Sequence, residues 1–190
     1  MNNTDLTSNK TTKVKREPKL TSFIIETLSS VATAFIAFFI ILTFLFRPVC
    51  VDGSSMRPTL IDNDWLLIST GYYKPHYGDI VIISRELKSK APLVKRVIGL
   101  EGDVIDIDFE KGIVYRNGEA LEEPYTAEPT YLCYDVEFPL TVEENKVFVL
   151  GDNRNHSSDS RASDIGQINI DDILGKARYR VIPWGDFDIY

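Results

Sequence analysis

The sequence predicts a mainly β protein, with antiparallel sheets forming a small barrel-like domain, preceded by one N-terminal transmembrane helix. Three observations predict this. A single long uncharged apolar run stands near the N-terminus. After it, short runs of β-forming residues are bounded by Gly, Pro, Asn or Asp. Helical periodicity over more than about ten residues is hard to find beyond that run.

The apolar run is TLSSVATAFIAFFIILTFLF, Thr27 to Phe46, bracketed by Glu26 and Arg47. About 20 uncharged residues suffice to cross a hydrocarbon core of roughly 30 Å as a helix. A cleaved secretion signal needs a shorter apolar region followed by small residues, whereas Arg47-Pro48-Val49-Cys50 follows here. The segment therefore reads as a retained anchor. Before it the chain is polar, with Lys10, Lys13, Lys15, Arg16 and Lys19 against Asp5 and Glu17. Such a tail has nothing to pack and is expected to be disordered. Its basic bias keeps the N-terminus on the cytoplasmic side and exports the rest. The expected organisation is a basic cytoplasmic tail at 1–26, an anchor at 27–46 and an extracytoplasmic β-rich domain at 47–190.

In the exported part the β runs are Trp65 to Ser69, Asp79 to Ser84, Val94 to Leu100, Asp103 to Phe109, Gly112 to Gly118, Lys146 to Asp152 and Ala177 to Ile182. The stretch Glu119 to Glu144, with Pro124, Pro129 and Pro139 among acidic and aromatic residues, reads as loop. No internal repeat is visible.

Composition excludes several functions. With 44% hydrophobic residues among 190, the chain is not a disordered one. The formal charge is −7 overall, and the 16 basic and 25 acidic residues after Phe46 leave −9 for the exported part. No nucleic-acid partner is expected of such a surface. Two cysteines, Cys50 and Cys133, form neither a disulfide framework nor a metal motif, so free thiols and no metal or other cofactor are expected.

Chemistry is concentrated in three places: GSSM at Gly53 to Met56, the Lys95-Arg96 pair inside an apolar run, and GDNRNHSSDSR at Gly151 to Arg161. Successive strand residues point to opposite faces, so either Lys95 or Arg96 points inward unless the strand is an edge with both in solvent. An inward lysine is costly as an ammonium and responds by losing its proton, which makes it a base able to accept a serine proton. The alternative base is His156, beside Asp152 and Asp159 in a Ser-His-Asp set. His76 reads as a turn residue. Whether Ser54 or Ser55 is the nucleophile stays open at this level.

The basic tail, the anchor, GSSMRPTL, YGDIVII, KRVIGLEGD, VFVLGDNRNHSSDSR and ILGKARYR, in this order, resemble bacterial type I signal peptidases. These are membrane-bound serine proteases that remove signal peptides from exported proteins. The resemblance covers essentially the whole chain, and the absence of a large inserted domain points to the compact Gram-positive kind. It implies Ser55 as nucleophile and Lys95 as general base. It further implies Ser157 as a hydrogen-bond partner that orients the lysine, and an Asp159–Arg161 ion pair that holds the geometry. Gly151, Asp152, Asn153 and Arg154 would shape the turn beneath the dyad, while Ser158 and Ser160 carry no assigned role. The Ser55 N–H is the expected first oxyanion donor. One branch of the family has a serine where this chain has Gly53, so the second donor is open, with Ser54 a substitute. Four residues, Ala162 to Ile165, separate Arg161 from Gly166, a further departure read as subgroup variation.

The resemblance also implies cleavage after A-x-A-like sites, with the extended peptide adding to sheet edges near Val51, Asp52, Leu93 and Val94. Met56 is either a lipid-facing residue or core packing. The implied partners are signal-peptide-bearing preproteins, the lipid bilayer and the secretion translocon. The implied location is the bacterial cell membrane, single-pass, with a cytoplasmic N-terminus. Two rivals of other kinds are a non-enzymatic scaffold for surface polymers and a self-cleaving cytosolic repressor. Intact Ser55 and Lys95 weigh against the first and the anchor against the second.

Overall fold

The computed structural model describes residues 19–71, 73–84 and 92–183. Most of the tail expected to be disordered lies outside the described residues. The chain divides into two compact units, Met1–Leu42 and Thr43–Tyr190.

Helix α1, Lys19–Leu45, accounts for all of the described part of the first unit. It starts at Lys19 rather than Thr27 because Leu20, Phe23, Ile24 and Ile25 continue the apolar run on the far side of Glu26. Its stretch Leu20–Leu45, 26 residues, is long and apolar enough to cross a membrane, at about 39 Å for a rise of 1.5 Å per residue. Phe23, Leu28, Ile36, Phe39 and Phe44 are all exposed, so the helix is apolar all round. Its hydroxyls are satisfied within the helix: Thr27 donates to the Phe23 carbonyl at 2.8 Å, Ser30 to Glu26 at 2.8 Å and Thr33 to Ser29 at 2.8 Å. Such back-bonding lets serine and threonine sit in an apolar span.

The second unit is built from strands β1 (Phe46–Cys50), β2 (Trp65–Ser69), β3 (Ile80–Ile83), β4 (Leu93–Leu100), β5 (Val104–Asp108), β6 (Ile113–Arg116), β7 (Glu119–Ala120), β8 (Leu140–Thr141), β9 (Lys146–Leu150), β10 (Ile168–Asn169) and β11 (Ile173–Ile182). Seven form one sheet in the order β1-β2-β11-β3-β4-β9-β10, and the other four form a sheet in the order β7-β6-β5-β8. Every pairing is antiparallel. The mainly β expectation holds, and each of the seven sequence-read runs falls on a strand, with β11 beginning four residues before its run, at Ile173.

Four strands escape the sequence. β1 lies in the flank of the apolar run, where Pro48 argues against a strand; an edge position accommodates a residue with no N–H to donate. β7, β8 and β10 are two residues each, too short to show a period. The Asn117-Gly118 turn between β6 and β7 has φ of 55° and 83°, the left-handed pair that a tight hairpin needs and that Asn-Gly supplies.

Three apolar clusters fill the domain. Val51, Met56, Leu60, Leu66, Ile68, Ile80, Ile82, Val94 and Ala177 form one. Ile98, Ile105, Ile107, Val114, Val142, Phe148 and Leu150 join the two sheets in a second. Val81, Ile83, Val97, Val147, Val149 and Ile168 make the third.

Candidate active site

The segment between β1 and β2 is fastened at both ends and from below. Val51 N–H donates to the Asp64 carbonyl at 2.8 Å and its own carbonyl accepts from Asn63 at 2.9 Å. Met56 and Leu60, 1% and 0% exposed, are sunk in the first apolar cluster. Met56 is therefore core packing and does not face lipid. With these three anchored, the chain between them turns outward: Ser54 is exposed and Ser55 half-buried.

Gly53 has φ +97 and gives its N–H to the Asp62 carboxylate at 2.8 Å. A serine there would have to adopt a backbone conformation that side-chain-bearing residues avoid.

Lys95 and Arg96 sit in β4, an interior strand. The edge reading is wrong, and so is the idea that only one of the two is inward, since Lys95 is 2% exposed and Arg96 0%. β4 is covered on both faces, and alternation sends the two side chains to opposite sides. Lys95 Nζ donates to Ser55 Oγ at 2.8 Å and to the Val94 carbonyl at 3.1 Å. Arg96 makes a two-pronged pair with Asp152, Nε to Oδ1 at 2.8 Å and Nη2 to Oδ2 at 2.7 Å, with both side chains fully buried.

The segment after β9 closes the site. Asn153 N–H donates to the Ser55 carbonyl at 3.0 Å and its side-chain amide to the Ser54 carbonyl at 3.1 Å. Thr59 Oγ1 donates to Asp152 Oδ2 at 2.5 Å. Asp159 and Arg161, both fully buried, pair through Nε–Oδ1 at 2.8 Å and Nη2–Oδ2 at 2.9 Å. Asp159 Oδ2 also accepts the Gly151 N–H at 3.0 Å. A Cβ at Gly151 would meet Ser157 Oγ at 2.2 Å and the Ser55 carbonyl oxygen at 2.5 Å, so only glycine allows this approach.

Ser157 is brought to the site without the bond expected of it. Its Oγ is buried, lies over Gly151 and has no hydrogen-bond partner. The extended backbone at Ser157, φ −132 and ψ 126, is pinned through its carbonyl by Tyr134 Oη at 2.9 Å, which fixes where the hydroxyl can reach.

The histidine alternative finds no support. His156 is exposed, and the two carboxylates it would need are held by Arg96 and Arg161. His76 lies in a turn, with Nδ1 3.6 Å from Asp79. Among the described residues no group of His, Cys, Asp and Glu could hold a metal ion, and both cysteines are free and exposed.

Of the residues expected to meet substrate, Val51 and Val94 have their side chains in the core, and the Val51 peptide groups are already bonded. Val51 is therefore a loop anchor. Leu93 and Val94 pair with β3 on one side, while β9 pairing begins only at Arg96. Asp52 is exposed.

The sequence missed what covers the site. Arg154 is clamped by Glu123, Nη1–Oε2 at 2.7 Å and Nη2–Oε1 at 2.6 Å, and bonds Thr130 at 2.9 Å. Asn155 Oδ1 accepts from the N–H groups of both Tyr131 and Leu132 at 2.9 Å. These partners belong to the stretch read as loop, where hydrogen bonding by side chains leaves no periodic trace.

The β-rich domain thus holds a buried lysine against a serine hydroxyl, and the comparisons give its class, a serine protease hydrolase. The model of the signal peptidase family, peptidase S26, matches residues 24–184. Signal peptidase I P of Bacillus subtilis subsp. natto is 37% identical over 172 residues, 84% of this chain and 90% of that protein. Signal peptidase I U of Bacillus subtilis (strain 168) is 35% identical over 188 residues, 93% of this chain and 96% of that one. The crystal structure of a signal peptidase I from Enterococcus faecalis aligns with a TM-score of 0.46 and 30% identity, covering 57% of this chain and 100% of that chain. The chain belongs to the signal peptidase family, peptidase S26, and is a serine protease hydrolase of the type I signal peptidase kind, whose work is the removal of signal peptides from preproteins.

Proposed function

We propose that the protein is a membrane-anchored endopeptidase in which Ser55 and Lys95 cleave signal peptides after A-x-A-like sites. The observation that carries this is the 2.8 Å contact between Lys95 Nζ and Ser55 Oγ, made by a lysine that is 2% exposed. Removal from water disfavours the ammonium relative to the amine, so burial favours the form that can accept a proton. The amine takes the Ser55 proton as Oγ attacks the carbonyl after a small residue. The resulting ammonium donates that proton to the leaving amine. Water, deprotonated by the same amine, then releases the acyl group and returns both residues to their starting states.

The Ser55 N–H is the proposed first oxyanion donor. The Gly53 N–H is not the second, because it already serves Asp62. Ser157 is proposed to support the lysine from its position over Gly151, and Asp159 and Arg161 to hold the Gly151 peptide. The substrate is proposed to lie extended along Leu93 and Val94 on the side that β9 leaves open, and beside Asp52. Helix α1 is proposed as the anchor, with the basic tail in the cytoplasm, the second unit outside it, and the bilayer and the translocon as surroundings of the reaction.

The test is cleavage of a lipid-embedded preprotein carrying an A-x-A site. Ser55→Ala and Lys95→Ala should each abolish cleavage, and Ser54→Ala should keep most of the rate. Full activity in Lys95→Ala would sink the reading.

A further inference from the structure

We propose that Glu123 is a positioning residue for the peptidase reaction, acting through Arg154 on the Gly151 peptide against which Ser55 is packed; this rests on the Ser55–Lys95 reading above. Glu123 comes from the irregular stretch between β7 and β8, yet its side chain is only 11% exposed and holds an Arg154 side chain that is 1% exposed. Arg154 Nε in turn donates to the Gly151 carbonyl at 3.0 Å. Asp159 Oδ2 takes the Gly151 N–H from the other side at 3.0 Å. The two backbone polar groups of Gly151, its N–H and its C=O on either side of Cα, are therefore both fixed by buried charged side chains, and a Cβ on that Cα would meet the Ser55 carbonyl oxygen and Ser157 Oγ.

The clamp is itself braced. Tyr125 Oη donates to Glu123 Oε1 at 2.9 Å, and the Tyr125 ring lies under the Arg96 guanidinium, 3.9 Å from Cζ. Burial pushes the Tyr125 phenol up, and the Glu123 charge adds to that, so it stays a donor. Burial opposes the charge on Arg154, but Glu123 outweighs it and holds the guanidinium above its ordinary value. One carboxylate thus ties the covering stretch, the Arg154 cation and the peptide beneath the nucleophile into one rigid unit. A two-pronged carboxylate–guanidinium pair fixes direction as well as distance, which is what a positioning group requires.

The charged groups around this unit are Arg96, Asp152, Asp159, Arg161 and Arg154, with Tyr125 and Tyr134 above them. Among these groups Glu123→Gln changes the Glu123 charge alone. The full-length protein in lipid vesicles is assayed on a preprotein with an A-x-A site, with kcat, KM, pH profile and melting temperature read for wild type, Glu123→Gln, Glu123→Asp and the double variant Glu123→Leu/Arg154→Met. Glu123→Gln should lower kcat about tenfold or more with KM within about twofold, the pattern of lost positioning. Its activity should also persist to lower pH, because an unneutralised Arg154 disfavours the ammonium form of Lys95. Glu123→Asp, which keeps the charge, and the double variant, which removes both charges, should return the pH profile to that of the wild type. An unchanged kcat and pH profile with only a lower melting temperature, or a raised KM at unchanged kcat, would overturn the proposal. Ser55→Ala and Lys95→Ala run alongside; activity in either brings down the underlying dyad reading, an outcome distinct from any of the Glu123 results.

Discussion

In the four-stranded sheet, β5 alternates as a half-wetted strand does: Ile105 and Ile107 are buried, Val104 and Asp106 exposed. In the seven-stranded sheet, β4 is covered along its length, and two of the residues so covered are Lys95 and Arg96. The first sheet carries the exposed Lys111–Asp108 pair at the β5–β6 turn, and its buried carboxylate, Asp103, stands just ahead of β5 rather than inside a strand. The second buries cations in β4 and in the segment that follows β9, and answers them: Arg96 with Asp152, Arg154 with Glu123, Arg161 with Asp159. Lys95 meets a hydroxyl, Ser55 Oγ. Burying charge costs stability unless it is compensated, so the sheet that buries it is where function has to be sought.

That contrast can be broken most forcefully at Asp159. Asp159→Ala leaves Arg161 buried without its carboxylate and should cost about 3–5 kcal/mol in denaturant melts, with loss of peptidase activity. In the other sheet, Ile105→Ala should cost about 2–5 kcal/mol through the cavity it leaves, while kcat at temperatures below the melt stays as in the wild type. A fall in kcat as large as that of Asp159→Ala would erase the distinction between the sheets. Thr59→Val removes one bond to Asp152 and should cost about 1–3 kcal/mol.

A pH effect separates the sheets again. Burial pushes the Asp103 carboxyl up, but the Leu100 N–H, Asn117, Tyr77 and the Arg116 charge outweigh it and hold it below the usual carboxylate range. A depressed folded-state value means stability that is present at neutral pH and lost as pH falls through that value. Asp103→Asn should therefore flatten the acid side of the stability curve without moving the pH profile of cleavage. The smallest effect is expected at the surface: Lys111→Ala should leave both melt and rate within replicate scatter.

How much of this was legible in the sequence follows the same contrast. β5 and β6 were readable as runs of β-forming residues with turn residues at their edges, while Asn117-Gly118, counted there as the end of a run, is the hairpin turn. β4 was visible as a strand, but the residues alone left its Lys-Arg pair open between an edge and one inward side chain, because alternation says nothing of a strand covered on both faces. Ser55, Lys95, Asp159 and Arg161 were placed by the resemblance, and the structure brings them together with the expected ion pair. The partner of Arg96 and the role of Glu123 depend on contacts across 56 and 31 residues, which no local pattern encodes. The expected Ser157–Lys95 bond fails because the hydroxyl lies over Gly151 instead.

The central claim is that Lys95 works as a buried, neutral base, and the pH dependence of kcat/KM on a lipid-embedded preprotein tests it most directly. The rate should rise with pH through a single apparent pKa well below the ordinary lysine value of about 10.4. A rate that rises only near that ordinary value, or one whose midpoint disappears in His156→Ala, would contradict it.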